Sequence, residues 1–400
     1  MKKIVVLLLV CCLLAGGVFG FLLGKDGTIR ATAPAVTPAA VPAAPEAETA
    51  VSAGGIDYEA LYALHEPDEI VMTIAGQDIP WCEYFYYLYR QCQSVEQYFG
   101  TMTMYGMPAT WSDAADEDGH SYADLAVESA RNIALSLSST LGFAESNDVS
   151  LSVADLETIE KKVQEDIVAL CGEEGTRADL DKQLEELYLP SSLYDRMNEV
   201  SVLYQNGFTK LYGEDGAALS DEEALAYLED NGYLYANHIL FMTLDPASYE
   251  ALDEETQAAK KAQAEETAAE LQAIEDEAER LARFVELKAE LDEDTGKALY
   301  PDGYVFLPGE MVEEFETAVK SQEAFQVSDP VESAYGYHVI MTLPLDPDAV
   351  LDYSSEGTPM SARSVAANAA YSAAVDAFTA EQEIIFAEGF DEPNLLDFVK

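Results

Sequence analysis

The sequence has 400 residues, is 49% hydrophobic, and carries 75 Asp and Glu residues against 21 Lys and Arg residues, for a formal net charge of −54. Its length predicts two or three domains. Nucleic-acid binding depends on Lys and Arg that neutralise phosphates, and anionic lipid surfaces attract basic rather than acidic segments. The charge therefore argues against a nucleic-acid partner and against lipid binding by the folded part.

Residues 1–26 predict an N-terminal signal or membrane anchor. Lys2 and Lys3 precede an uncharged apolar run over residues 4–24, which is long enough to cross a bilayer core, since this takes about 20 residues. The two lysines predict that the amino terminus stays inside and that the bulk of the chain is extracytoplasmic. A cleaved signal is the alternative, with small residues at 31–33 but Pro34 directly after them. Cleavage would give a secreted protein instead of one tethered to the cell membrane.

Residues 27–55 are rich in Ala, Pro and Thr without apolar periodicity, and this composition predicts a disordered, extended linker. Residues 56–231 then predict a mostly helical domain with one hairpin at 70–79. The helix after Pro80 carries Tyr84, Tyr87 and Tyr89. These side chains pack into a core or, alternatively, form a partly exposed aromatic surface for unfolded polypeptides.

An acidic loop follows this helix, with Asp113, Asp116, Glu117 and Asp118 close to His120. The order of these carboxylates does not match the D-x-[DN]-x-[DN]-G pattern of a calcium-binding loop. Three cysteines, Cys82, Cys92 and Cys171, lie outside the apolar run, and none has a C-x-x-C neighbour. We therefore expect neither a metal site nor a cofactor.

Residues 232–347 read as strand, helix, helix and strand, the order of a compact α+β domain. The region 253–291 predicts one long helix with an apolar stripe. The stripe consists of Leu271, Ile274, Ala278, Leu281 and Val285. The first half of this helix has only alanines as apolar residues, which predicts that it projects into solvent. Residues 348–400 predict a C-terminal helical segment that packs on the domain formed by 56–231.

Two of the four histidines lie in matching strand-like segments, 236–240 (ANHIL) and 336–340 (GYHVI). Between them are 306–315 (FLPGEMVEEF) and 328–338 (SDPVESAYGYH). These motifs resemble the parvulin family of peptidyl-prolyl isomerases, whose corresponding segments read [R/N]HIL, GYHII, F-x-x-G-x-M-x-x-x-F and S-x-P-V-x-T-x-x-G-x-H. The resemblance covers residues 233–345. The helical flanks resemble PrsA-like and SurA-like extracytoplasmic foldases in layout.

The resemblance implies an α+β parvulin-like domain, a small antiparallel sheet with helices, which is inserted in or follows a mostly helical chaperone-like domain. His238 and His338 match the paired histidines of the family. Asp294 matches the position of a Cys or Asp beside the reacting carbonyl.

The same resemblance implies that Met311 and Phe315 form the floor of a proline pocket and Phe306 its wall. The spacing of four between Met311 and Phe315 predicts one helix face. Each of these assignments has a plainer alternative. Met311 and Phe315 can be simple core residues, the histidines a structural hydrogen-bonded pair, and Asp294 a solvated carboxylate.

The chain departs from the family in two places. Residues 299–304 (LYPDGY) replace a Gly-rich stretch, and Phe325-Gln326 replaces Gly-Glu. No arginine cluster precedes Arg280, so a phosphorylated substrate is not expected.

The sequence thus predicts a membrane-tethered, extracytoplasmic peptidyl-prolyl isomerase that helps exported proteins fold. Its partners would be unfolded or partly folded exported polypeptides with X-Pro bonds. A holdase chaperone with a catalytically inactive parvulin-like domain is the alternative. A surface tether or adhesin is a third hypothesis, which explains neither histidine segment.

Overall fold

The computed structural model describes residues 54–354 and 357–400. The predicted anchor and all but the last residues of the predicted linker lie outside these residues. No helix within the described ranges is both long and apolar enough to span a membrane. The chain divides into two compact units, the first ending at Lys210 and resuming over Ser372–Lys400, the second comprising Leu211–Tyr371.

The helices and strands follow in chain order. The helices are α1 (Tyr58–Tyr62), α2 (Trp81–Met104), α3 (Tyr122–Ser146), α4 (Val153–Cys171), α5 (Arg177–Glu185), α6 (Ser191–Tyr212), α7 (Asp221–Asp230), α8 (Glu254–Gln272), α9 (Glu277–Leu291), α10 (Glu313–Ser321) and α11 (Ala362–Ala380). The strands are β1 (Ile70–Ile74), β2 (Gln77–Pro80), β3 (Leu234–Met242), β4 (Tyr304–Phe306), β5 (Val331–Ser333), β6 (Gly336–Thr342), β7 (Val350–Tyr353), β8 (Pro359–Ser361) and β9 (Ile384–Phe386).

The first unit is mainly helical. Ser121, Ser152 and Thr176 each cap a helix, and the Asp three residues later bonds back to the cap backbone. Such capping boxes satisfy amide groups that a helix start leaves without partners. The predicted hairpin is confirmed as β1 and β2, but β9 adds a third strand in the order β2-β1-β9. The C-terminal strand is too short to be recognised from its own sequence.

The tyrosines of α2 are core residues. Tyr84, Tyr87 and Tyr89 are all buried, among other aromatic side chains. The prediction that they pack into a core is confirmed, and the alternative of a partly exposed surface for unfolded polypeptides is wrong. The helix α2 packs on α3, β1 and β2. Because these neighbours contact several sides of the helix, aromatic residues on more than one of its faces are buried.

The second unit is built on an antiparallel sheet with the order β4-β3-β6-β5. In β3, Ile239 and Phe241 face α8 and α9, together with Val339 and Met341 of β6. Successive side chains of a strand point to opposite faces. His238 and His338 therefore face the other way, toward α10, whose Phe315 packs on that side.

The single long helix predicted over 253–291 is in fact two helices. α8 ends before Ala273, and Asp276 caps α9 by accepting the amide of Glu279. The break restarts the helical phase, so the predicted apolar stripe is wrong at Ala278 and Val285, which are exposed, whereas Leu281 packs on the core. Val285 is 54% exposed, and the buried side chains of α9 are Phe284, Leu287 and Lys288.

The alanine-rich half of that region does not project into solvent. Ala264 and Ala268 of α8 are buried against the sheet, together with Leu271. Small side chains let the helix approach the sheet closely, so an alanine face can form an interface without large apolar residues.

Gly336, the first residue of β6, has φ +143°, and a Cβ there would overlap the carbonyl oxygen of Phe241 in β3. Gly336→Ala should therefore destabilise the second unit by more than about 2 kcal/mol. Gly309→Ala is the matched control, since Gly309 also has positive φ (+96°) but open space around its Cβ position. It should cost only about 1 kcal/mol.

Urea-dependent proteolysis, with fragments identified by mass spectrometry, would assign each transition to a unit. Equal losses in the two variants would contradict the close approach of β6 to β3 at Gly336.

Candidate active site

His238 and His338 lie at diagonal positions of the β3–β6 ladder. His238 is opposite Ile340 and His338 is opposite Leu240. Diagonal neighbours on one face of a sheet are within reach of long side chains. Their Nδ1 atoms are 3.1 Å apart, and the two residues are only 7% and 4% exposed. The two histidines of the matching sequence motifs therefore form one buried pair.

Asp294 follows α9 and reaches the other side of the His238 ring. Its Oδ2 is 3.1 Å from His238 Nε2 and accepts a 2.5 Å hydrogen bond from the Tyr304 hydroxyl. Its Oδ1 accepts the amide of Gly296 at 3.0 Å. Burial opposes ionisation of this carboxyl, but the bonds from His238 and Tyr304 outweigh it and hold the pKa of Asp294 well below its usual range. Asp294 is thus an ionised, partly buried carboxylate.

Two other carboxylates fasten the Asp294 loop to β3. Asp292 Oδ1 accepts the amide of Leu240 at 2.9 Å and the amide of Asp294 at 3.1 Å. Glu293 Oε2 accepts the amide of Met242 at 2.8 Å. In the part of the chain that the structure describes, no strand pairs with the outer edge of β3 beyond the end of β4. Unpaired buried amides are costly. The two carboxylates pair these amides and at the same time set the position of Asp294.

A buried lysine supports the same loop from the opposite face of the sheet. Lys288 of α9 donates to Asn237 Oδ1 at 2.6 Å and to the carbonyl oxygen of Pro301 at 2.9 Å. Burial lowers the pKa of this amine. Asn237 Oδ1 also accepts the amide of His238 at 2.9 Å, so Lys288 joins the loop to the strand residue next to the histidine.

The hydrogen bonds assign a tautomer to each histidine. Ionised Asp294 only accepts, so His238 Nε2 carries a proton and, in the neutral ring, Nδ1 is an acceptor. His338 Nδ1 must then donate to His238 Nδ1, and His338 Nε2 accepts from the Ser333 hydroxyl at 2.7 Å. Desolvation by burial and the neighbouring His238 lower the pKa of His338 to about 3. A neutral His338 is what this chain of bonds requires.

The apolar side of the site is formed by Phe315, Phe306 and Met311. The Phe315 ring centroid lies 5.3 Å from that of His238, 5.7 Å from that of His338 and 5.9 Å from that of Phe306. Phe306 and Phe315 are 1% and 2% exposed, whereas Met311 is half-buried beside the same cluster. Met311 is therefore the accessible member of this apolar group.

The spacing of four predicted that Met311 and Phe315 share a helix face. This prediction is wrong, because Met311 lies before the helix. α10 begins at Glu313, after the cap residue Val312. Glu316 of α10 accepts the amides of Gly309 and Met311, which fixes the turn before the helix. The cap residue Val312 makes no side-chain cap bond, so no typical N-cap residue marks the start of the helix between Met311 and Phe315.

Sequence reasoning missed Tyr304 and Ser333. Tyr304 lies in the segment that departs from the Gly-rich family stretch, and its ring is 4.9 Å from that of Tyr300. Nothing in the local pattern links it to a carboxylate ten residues earlier. Ser333 could have been predicted as a site residue, since it occupies the Thr position of the S-x-P-V-x-T-x-x-G-x-H motif.

Among the described residues, Asp116, Asp118 and His120 bring three potential metal-ligand atoms within 4.8 Å of one another. All three residues are exposed, and His120 Nδ1 is 2.7 Å from Asp116 Oδ2. Exposed acidic groups are common without an ion, so this cluster supports no metal assignment.

Residues 238–343 match the Rotamase family model, described as the PPIC-type PPIASE domain. This segment is a parvulin domain. It begins at His238 and ends just after the strand that carries His338, so the family model covers both buried histidines.

The chain is also similar to curated foldases. It is 36% identical to foldase protein PrsA of Halalkalibacterium halodurans over 132 residues, 32% of this chain and 32% of that protein. It is 47% identical to foldase protein PrsA 3 of Bacillus cereus over 58 residues, 14% of this chain and 20% of that protein. The similarity thus spans about a third or less of the length of either relative.

Among solved structures, PrsA from Bacillus subtilis aligns with 67% of this chain and 91% of that chain, at 20% identity and a TM-score of 0.25. A TM-score this low supports no conclusion about the arrangement of the chain.

The lowered pKa of His338 predicts acid sensitivity of the parvulin domain. The folded state, with a pKa of about 3 against the ordinary 6.5, binds fewer protons than the unfolded state. The neutral His338 therefore causes no loss in the free energy of unfolding above about pH 6.5. As the pH falls toward 3, the free energy of unfolding decreases by at most about 1.4 kcal/mol per pH unit.

Hydrogen exchange of the β3 and β6 amides between pH 6.5 and 4.5, corrected for intrinsic rates, should show this loss in the wild type. His338→Gln should flatten the dependence, and His120→Gln, at an exposed site, should retain it. An unchanged slope in His338→Gln would contradict the neutral buried imidazole.

Proposed function

We propose that this chain is a membrane-tethered, extracytoplasmic peptidyl-prolyl cis-trans isomerase that assists the folding of exported proteins. The observation that carries the proposal is the convergence of His238, His338 and Asp294 beside Phe315, within a parvulin domain. The foldase names of the relatives agree with it. The apolar run over 4–24 behind Lys2 and Lys3 supports the tether.

The reaction demands little of the protein beyond shape and charge. Rotation about a peptide bond faces a barrier of about 18–20 kcal/mol, and unaided X-Pro isomerisation takes tens to hundreds of seconds. No covalent bond is made or broken, so only differential stabilisation of the twisted amide is needed. Each 1.36 kcal/mol of such preference is worth tenfold in rate.

In the proposed mechanism Asp294 acts on the carbonyl oxygen. Resonance places negative charge on that oxygen in the planar amide, and twisting withdraws the charge. A fixed carboxylate beside the oxygen raises the energy of the planar form more than that of the twisted form. His238 and Tyr304 keep Asp294 ionised and in place. His338, neutral and bonded to His238, fixes the orientation of the His238 ring.

The proline ring would be held on the apolar side of the site. Met311 is accessible and can contact a substrate ring directly, with Phe315 and Phe306 behind it. The unbranched side chain of Met can change rotamer to admit a ring. X-Pro specificity would therefore depend on Met311 more than on the two buried phenylalanines.

The second candidate is a holdase whose parvulin domain binds clients without catalysis. Its specific support is the near-complete burial of Phe306 and Phe315, since these side chains offer a substrate almost no open surface. The altered segment 299–304 beside the site adds to it.

A proline-peptide isomerisation assay on the full-length chain separates the two candidates. Wild type should accelerate isomerisation, and Asp294→Asn and Met311→Ala should each lower kcat/KM by at least about tenfold, the equivalent of 1.36 kcal/mol. Leu156→Ala, also a truncation to Ala but at an exposed site of the first unit, should leave it unchanged.

Turnover no faster than the spontaneous rate in the wild type would refute the isomerase proposal and favour the holdase. Full activity in both site variants would refute the assigned roles of Asp294 and Met311.

A further inference from the structure

The C-terminal end of α2 carries an exposed apolar tip in the first unit. Met104 is 87% exposed and Tyr105 is 74% exposed, and Met107 follows them at 55%. Large apolar side chains exposed side by side mark interaction sites more often than solvated surface. We call the segment Met104–Met107 the methionine tip.

The backbone of the methionine tip is fixed by hydrogen bonds. The amide of Met107 donates to the carbonyl of Met102 at 2.9 Å, and the amide of Gly106 donates to the carbonyl of Thr103 at 3.0 Å. With Gly106 at φ +74°, this is a Schellman motif, a common way to end a helix. The turn holds Met104 and Tyr105 outward, so a partner that binds them pays little to order the backbone.

Aromatic contacts hold the base of the tip. The Phe99 ring lies 5.4 Å from that of Trp111 and 5.1 Å from that of Tyr122. These contacts join the end of α2 to the loop 108–121 and the start of α3. The end of α2, which carries the tip, and the acidic loop are therefore packed together at Phe99.

The sequence around the methionine tip is acidic. The loop exposes Asp113, Asp116, Glu117 and Asp118, and the sequence has no Lys or Arg between Arg90 and Arg131. A partner that contacts both the tip and the loop therefore needs apolar side chains for the tip and cationic side chains for the loop. Complementary potentials select partners and raise association rates.

We infer that the methionine tip and its acidic loop bind extended, unfolded segments that carry both cationic and apolar side chains. The unbranched, polarisable methionines adapt to different side chains, which suits clients of varied sequence. This inference rests on the proposed folding function and names the class of client segment that the first unit captures.

The test uses the full-length chain and a fluorescent, proline-free peptide of Lys, Leu and Phe, with binding measured by anisotropy. Because the peptide has no proline, the result does not depend on isomerase activity, which is measured separately on a proline peptide. The double variant Met104→Ser/Tyr105→Ser should weaken binding about tenfold or more and leave isomerisation unchanged. A twin peptide with Glu in place of Lys should bind far more weakly to the wild type.

Val153→Ser/Leu156→Ser is the matched control, since both residues are exposed apolar positions on α4, and it should bind like the wild type. A second variant, Asp116→Asn/Glu117→Gln/Asp118→Asn, should weaken binding and reduce its dependence on salt.

Equal binding by the tip variant and the wild type, or an equal loss in the α4 control, would overturn the inference. So would a wild-type dimer that dissociates in the tip variant, because the occupant of the tip would then be a second copy of the chain.

Discussion

The contact between the buried rings of His238 and His338 is the constraint on which the site depends. The two Nδ1 atoms are 3.1 Å apart, and burial, followed by the neighbouring His238, lowers the pKa of His338 to about 3. With both rings neutral, the hydrogen bonds have one consistent order of donors, from Ser333 through both rings to Asp294. The orientation of each ring follows from that order, which begins from the ionised carboxylate of Asp294 as the final acceptor.

The acidity of the chain has a local structural use. The carboxylates of Asp124, Asp155 and Asp179 complete capping boxes, and the hydrogen bonds from each cap lower the pKa of the carboxyl. Asp292 and Glu293 replace a neighbouring strand along the edge of β3. Some of the carboxylates that give the chain its negative charge therefore form hydrogen bonds at helix starts and in the loop that positions Asp294.

The sequence predicted the elements whose signal is local. Strand-forming residues over 233–243 and 337–343 predicted β3 and β6. The family resemblance implied the pairing of the two histidines across a separation of one hundred residues. The capping box of Ser220 and Glu223 is another such local signal, since it marks the start of α7. The choice of Asp294 as a site residue followed from the family resemblance and not from spacing, and its bond to His238 was not predicted.

The errors arose where tertiary packing overrides the local pattern. The division of 253–291 into α8 and α9 depends on a cap by Asp276, one acidic residue among many in that region. The burial of Ala264 and Ala268 depends on the sheet beneath them. Tyr304 reaches Asp294 only because β4 pairs with the start of β3, and no pattern in residues 299–304 predicts that pairing.

The ¹⁵N chemical shifts of the histidine side chains test the central claim most directly. At neutral pH the hydrogen-bond order requires a proton on Nε2 of His238 and on Nδ1 of His338, with the two Nδ1 atoms coupled across their bond. The account predicts resonances of those two tautomers in the wild type. In Asp294→Ala, the resonance of the Nε2-protonated tautomer of His238 should disappear. A proton on Nε2 of His338, or an imidazolium at that position, would contradict it.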